Sequence, residues 1–406
     1  VPPDPDPDPD PDLGPVRNGP GAGLYLHVPF CTSVCPYCDF AVLIAGDERR
    51  RAYLSGMEAE VGLHLEGDWR FDTLYLGGGT PSSLPPDALG RLLEALARLP
   101  VAPDAIRHLE VNPEDVTTAS ARAWRSLGFN FLSLGVQSFD DERLRRLGRR
   151  HSATSARLAF ERLREVGFST LSVDLIYGSP GDDPGWWRKQ LEAIVELGPD
   201  HLSCYQLTIH QGTVLGKRRD RGELEELGDD EQGELFRVTH RVLADLGYEG
   251  YEVSNFARAP CHRSRHNHKY WRHEPYLGLG PSAHSFCGRR RWWNHRRLRQ
   301  WQAAVDAGRT PVEGGEELSP AELALEALML GLRTADGVDL GAVQRRWGVD
   351  LATPNAALLE RLVVDGLVLR TEHEVVRPTL EGMAIADALA RAFDVPSPTT
   401  GSAARA

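Results

Sequence analysis

HVPFCTSVCPYCDF, residues 27–40, sets Cys31, Cys35 and Cys38 within eight positions of a 406-residue chain that has six cysteines in all. Disulfide stapling belongs to oxidising compartments, so thiols clustered this tightly in a reducing one point to metal or redox chemistry. Structural zinc closes its shell with four ligands, usually from two separated pairs. Here only His27 and Asp39 stand near, with no second C-x2-C. An iron–sulfur cubane takes one thiolate per iron. Three cysteines in C-x3-C-x2-C therefore serve three irons of a [4Fe-4S] cluster and leave the fourth open to a substrate group, while Pro29 and Pro36 restrict the converging loop. Cys204, Cys261 and Cys287 are scattered.

Outside this loop the chain is 41% hydrophobic and 26% charged, enough for one large α/β core and a smaller domain. No apolar run approaches bilayer length and the start lacks the basic and apolar regions of a signal peptide, so a cytoplasmic protein is expected. A net charge of -12 argues against a general nucleic-acid surface. Residues 1–20, opening VPPDPDPDPDPD, alternate a φ-locked imino acid with charge; they and residues 394–406 are expected to be disordered tails.

Between the tails, short apolar runs alternate with segments of helical period. LYLHV, DTLYLGG, RHLEVNP, NFLSLGV, TLSVDLIYG and HLSCYQLT are the strand candidates. Six strands alternating with helices imply parallel pairing and an incomplete (β/α)6 barrel over residues 21–230, with its site at the C-terminal strand ends. The pattern becomes irregular over 231–315, read as a connecting region. Helical segments and a small hairpin then predict a winged-helix-like α+β domain over 316–393.

GGGTPS, residues 77–82, follows the second strand, where glycines let backbone approach a ligand. Glu110, Gln137, Arg149 and Asp174 fall at or just past strand ends, and charges placed in apolar strands need partners. Their recurrence at one end of successive strands favours a shared pocket.

With the open-cornered thiolate triplet, these segments resemble the radical S-adenosylmethionine (SAM) superfamily, and more narrowly its coproporphyrinogen-oxidase-like family, through LYLHVPFC, GGGTPS, EVNP, LGVQSFDD, LGRRH and VDLIYGSPG. The resemblance implies that the open iron chelates SAM and that reduction releases a 5'-deoxyadenosyl radical. It also implies that Tyr25, Gly78, Gly79 and Thr80 contact SAM, that Glu110, Gln137 and Asp174 bind its polar atoms, and that Arg149 pairs with its carboxylate. An arginine fork suits that last role. The oxygen-independent oxidases carry a further Cys two positions past the triplet, where this chain has Phe40.

HNHKYW, residues 266–271, resembles instead the H-N-x-x-Y-W signature of that family's heme-chaperone branch, HemW. A neutral His266 imidazole suits axial ligation of heme iron, Asn267 could orient the ring, and Tyr270 and Trp271 offer flat apolar area; His268 is the reserve ligand. The expectation is a heme chaperone binding cluster, SAM and heme and handing heme to acceptor hemoproteins. The rival is an oxygen-independent coproporphyrinogen III oxidase, so enzymatic turnover stays open, as do homodimerisation and peripheral membrane contact. RRRWWNHRRLRQW, residues 289–301, interleaves six Arg with three Trp. It could hold acidic groups such as propionates or single-stranded RNA, or simply be a solvated face over core Trp; the acidic net charge makes nucleic acid the weaker partner.

Overall fold

The computed structural model describes residues 21–371 and 374–396. Residues 1–20 and 397–406, the bulk of the expected tails, lie outside the described residues. Six strands run parallel in sequence order: β1 (Ala22–Val28), β2 (Phe71–Gly78), β3 (Val101–Val111), β4 (Phe131–Gln137), β5 (Thr170–Tyr177) and β6 (His201–Gln206). Helices α1 (Asp47–Gly62), α2 (Pro86–Leu96), α3 (Thr118–Ser126), α4 (Asp141–Arg146), α5 (Ala153–Val166) and α6 (Pro184–Val195) make the crossovers. Their starts are set by local chemistry. Ser152 and Thr117 form capping boxes, and Asp183 accepts from the amides of Gly185 and Trp186 ahead of Pro184.

Strand alternation does the rest. Leu24, Leu26, Leu74, Leu76, Leu109, Leu132, Leu134 and Val173 are buried in the main core with the crossover helices. The alternate residues form rows on the other face, one of them Tyr25, Tyr75, His108 and Phe131 across β1 to β4. Side chains from β2 through β6 line one cavity, so the sheet curves around it without closing.

The sheet extends where the sequence pattern is irregular. After α7 (Val214–Asp220) and α8 (Asp229–Asp245), the hairpin of β7 (Glu249–Glu252) and β8 (Asn255–Ala257) joins the sheet, with β8 antiparallel to β6. α9 (Arg265–Trp271) follows, and β9 (Tyr276–Leu279) then pairs in parallel with β1 at the opposite side. β10 (His284–Cys287), β11 (Arg290–Asn294) and β12 (Val312–Glu317) extend that side, completing a twelve-stranded sheet. The stretch read as connecting is thus sheet; strands of three to six residues are too short to show a period.

The C-terminal unit matches the winged-helix-like expectation: helices Pro320–Gly331, Leu340–Trp347 and Ala356–Val364 pack on a three-stranded antiparallel sheet around Leu328, Leu340, Leu359 and Val376. Two short helices, Leu380–Ala384 and Ala386–Ala392, follow, divided at Ile385. No helix among the described residues is long and apolar enough to cross a membrane.

One buried carboxylate ties the added strands to the barrel. Glu60 on α1 is fully buried and accepts from the Gly280 amide (2.8 Å), the Asn294 side-chain amide (2.7 Å) and the Trp301 indole (3.0 Å). Burial pushes its carboxyl up to about 7 against those three donors. Glu60→Ala leaves the Gly280 amide and the Trp301 indole unpaired, at about 1–3 kcal/mol each, while the Asn294 side-chain amide keeps only the Gly280 carbonyl. A stability loss of about 3 kcal/mol or more is expected in urea unfolding followed by circular dichroism, and a loss below about 1 kcal/mol would show that the clamp contributes little.

Candidate functional site

The loop after β1 carries the thiols and is closed on itself. The Cys31 amide donates to the Leu43 carbonyl (3.1 Å), the Leu43 amide to the Pro29 carbonyl (2.8 Å), and the Cys38 amide to the Cys35 carbonyl (3.1 Å). From the far side the Leu215 amide, in the first turn of α7, donates to the Pro36 carbonyl (2.9 Å). Cys31, Cys35 and Cys38 are all partly exposed and line the same cavity of about 460 Å³ at the C-terminal strand ends. Among the described residues, no three His, Cys, Asp or Glu side chains gather tightly enough to hold a single ion.

Two glycines keep the β2 turn against this loop. Gly78 has φ 108°, and a Cβ there would stand 2.5 Å from His27 Nδ1; one on Gly79 would stand 2.7 Å from the Phe30 carbonyl oxygen. Thr80 Oγ1 donates toward Cys31 Sγ at 3.5 Å. Arg149 reaches the loop from the α4 end: Nη1 points at Cys35 Sγ (3.6 Å), while Nη2 donates to Asn112 Oδ1 (2.6 Å) and the Gly135 carbonyl (2.9 Å). Its neighbour Gly148, at φ 68°, passes so close to Pro36 that a Cβ would lie 2.5 Å from the ring.

The carboxylates sit deeper. Glu110 accepts from the Tyr75 hydroxyl (2.7 Å) and the Gly78 amide (3.2 Å), and Asp174 from Ser133 (2.8 Å). Burial pushes Glu110 up to about 7, with Asp174 nearby adding to it, and Asp174 up to about 6. Gln137 ends β4 at φ 70°, a left-handed conformation that costs a non-glycine residue about 1 kcal/mol or more. That local strain marks it as a position held by its surroundings.

Gly78, Gly79, Thr80, Glu110, Gln137, Arg149 and Asp174 thus gather on the cavity that the three cysteines line. Tyr25 does not line it, and its hydroxyl pairs with His27 Nδ1 at 3.1 Å. Asn112, not singled out from the sequence, bridges Arg149 and Thr80, whose Oγ1 accepts from its side chain at 3.3 Å. Its signal was the two-residue strand period, which puts it on the same face as Glu110.

HNHKYW lies elsewhere. It forms α9, against the N-terminal ends of β1 and β2, where Lys269 pairs with Asp72 (2.8 Å) and Glu274 (3.2 Å). His266 is fully buried, with Nδ1 on Thr73 Oγ1 and Nε2 on the Tyr270 hydroxyl, both at 2.8 Å. An imidazole with both nitrogens engaged offers no lone pair to an iron, so the open ligand expected at His266 is absent in this conformation. Asn267 does not orient that ring; it faces the inner end of the cavity, and Tyr270 and Thr73 do the orienting. Trp271 packs on His268 and Tyr251.

Two arginines of the Arg-rich stretch are held in ion pairs. Arg291 pairs with Glu316 and Glu326, and Arg289 with Glu317, while Trp301 is core.

Residues 25–194 match the Radical SAM superfamily and residues 318–385 the HemN C-terminal domain. A Mycobacterium tuberculosis protein named Heme chaperone HemW is 34% identical over 389 residues, 93% of this chain and 96% of that one. A Synechocystis protein of the same name is 35% identical over 324 residues, 77% and 78% of the two chains. This chain belongs to the HemW/HemN-like family of radical SAM proteins. The structure of coproporphyrinogen III oxidase (HemN) from Escherichia coli shares the fold, with a TM-score of 0.79 at 24% identity over 92% of this chain and 90% of that one. For a HemW/HemN-like protein the groups implied at this cavity are a [4Fe-4S] cluster and SAM. The donor set fits them: three thiols on one loop, a glycine turn without side chains, and carboxylates facing an arginine.

The buried carboxylates give this family member a pH signature. Between the ordinary carboxylate range and about 6 to 7, folded Glu110 and Asp174 retain protons that the unfolded chain has released. In the ligand-free protein this pair therefore contributes stability that is lost as pH rises through that window, against buried His64, His201, His240 and His266, whose lowered proton affinities contribute in the opposite sense. Glu110→Gln with Asp174→Asn is expected to raise the slope of unfolding midpoint against pH across the window; an unchanged slope would place the ionisation elsewhere.

Proposed function

We propose that this protein binds heme and passes it to acceptor hemoproteins, on a scaffold that also holds a [4Fe-4S] cluster and SAM. The observation carrying this is similarity of 30–35% over most of the chain to proteins named heme chaperone. Phe40 supports it: the position where the oxidase pattern has a further Cys bears a ring that is 66% exposed at the cavity mouth. A benzyl group can neither ligate nor exchange electrons as a thiol does.

Cys31, Cys35 and Cys38 would hold three irons, and the bound cluster with SAM supplies one-electron chemistry at the fourth. The Gly78 turn and Glu110 suit the amino group of SAM, Asp174 and Gln137 its hydroxyls and ring nitrogens, and Arg149 its carboxylate. Donors from Thr80 and Arg149 point toward two of the sulfurs, and such hydrogen bonds would tune the reduction potential of a bound cluster. All six cysteines are unpaired, which suits the reducing cytoplasm expected from the sequence.

Anaerobically reconstituted protein is expected to take up heme and deliver it to an apo-hemoprotein, seen as growth of the acceptor's own absorbance. The same preparation, given reductant, SAM and coproporphyrinogen III, is expected to form no protoporphyrinogen. Turnover in that assay would replace the chaperone with the oxidase. Cys35→Ser is expected to lose the cluster signal by electron paramagnetic resonance while its melting temperature stays near that of the ligand-free wild type.

A further inference from the structure

If α9 as folded has no free imidazole at His266, a heme-binding chain needs another face. Exposed large apolar side chains stand on the cysteine loop and the first turn of α7: Phe40, 66% exposed, and Val34, 50%, line the cavity, with Ile44 at 62% and Val214 at 57% close by in the chain. An apolar rim around a polar cavity is the surface expected to be covered in use. It is a built surface. The Leu215 amide on Pro36 holds the first turn of α7 to the cysteine loop, and the loop before α7 is pinned by the Thr213 hydroxyl on the His210 carbonyl (2.7 Å) and by Arg219 on the Ile209 carbonyl (2.8 Å).

On that pinned loop His210 lines the cavity with its side chain 48% exposed. One ring nitrogen stands 3.7 Å from Asp39 Oδ2, and the other has no partner among the described residues. At 3.7 Å the carboxylate is an ion-pair neighbour and not a hydrogen-bond partner, an approach that orients the ring in the way carboxylates orient metal-binding histidines. Arg150 lines the same cavity without a carboxylate partner among the described residues. Apolar area, a half-oriented imidazole and an unpaired guanidinium together complement a flat apolar disc with a metal centre and carboxylate arms. A protein surface would use the apolar area and leave the imidazole and the cation unexplained.

We propose that the cavity mouth is the heme-docking face, with Val34 and Phe40 as the apolar seat, His210 as the iron ligand and Arg150 receiving a propionate. This siting rests on the heme-binding function proposed above. It puts heme over the cysteine loop, at the opposite end of the strands from α9. It also gives Phe40 a role that cysteine could not fill, since a planar aromatic ring packs on a porphyrin face.

The test is optical and electron paramagnetic titration of full-length, cluster-loaded protein with hemin under anaerobiosis. His210→Ala is expected to weaken binding by roughly tenfold or more and to remove the nitrogen-ligand signature, with cluster signal and melting temperature unchanged. Phe40→Ala is expected to weaken binding while leaving that signature in place. His210→Ala protein with wild-type affinity and spectrum overturns the siting, as does loss of the signature in His268→Ala alone. Intact heme binding in both mouth variants, coupled with failed delivery to the acceptor, would make the rim a protein-docking surface and also overturn it. Wild-type protein that takes up no heme instead defeats the proposed function itself.

Discussion

The thiol loop holds its shape because the β1–β2 ladder runs on past the end of the strands. The Gly79 amide donates to the Val28 carbonyl and the Thr80 amide to the Phe30 carbonyl, both at 2.8 Å, so the cysteine loop and the glycine turn are effectively one piece of sheet. That contact leaves no room for a Cβ at Gly78 or Gly79. Everything said of the site depends on it: the cysteines face the cavity because their loop cannot lift off the turn, and Thr80 reaches Cys31 because its backbone is fixed two bonds away. Short hydrogen bonds to a parallel neighbour achieve what a loop of this length could not by itself, since a free loop would lose conformational entropy on each approach of its thiols to a common centre.

Electrostatics divides the cavity in depth. Arg149 lies near the cysteines, where three thiolates would concentrate negative charge, and its guanidinium is braced by Asn112 and a carbonyl. Glu110 and Asp174 lie deeper, among tyrosines and serines, and in the ligand-free protein burial is the main force holding their protons on, with Asp174 adding to it at Glu110. A cationic ligand entering this space finds carboxylates whose ionised forms are poorly solvated by the protein, so it offsets a desolvation cost already present. That is a general route by which a buried acidic pocket selects positive charge.

The opposite end of the barrel is closed by packing. α9 sets His266 between Thr73 and Tyr270, stacks it near Tyr75, and anchors Lys269 in a carboxylate pair. Tyr75 is common to this floor and to Glu110, which places a single aromatic residue between the two ends of the cavity. A histidine in a signature segment therefore serves here as a neutral strut, and burial keeps it so by lowering its proton affinity to about 3.

The three-cysteine motif, the six-fold β/α alternation and the small C-terminal domain were legible from residue order, because each depends on local period or on neighbours a few positions apart. Glu110, Gln137 and Asp174 were legible too, since charged or amide groups in apolar strands stand out against their surroundings. What residue order could not show is which groups meet across long separations. β9 joins β1 across some 250 positions, Glu60 finds Gly280, Asn294 and Trp301, and the Arg-rich strand finds its glutamates on a neighbouring edge. His266 carried the right chemistry for a metal ligand, yet whether its nitrogens are free depends on Thr73, a partner 193 residues away. The sequence by itself determined the donor types and the local elements that carry them. Tertiary structure alone decided which donors are spent on the fold and which still face a ligand, because a hydrogen bond between distant residues costs chain entropy that only the assembled core repays.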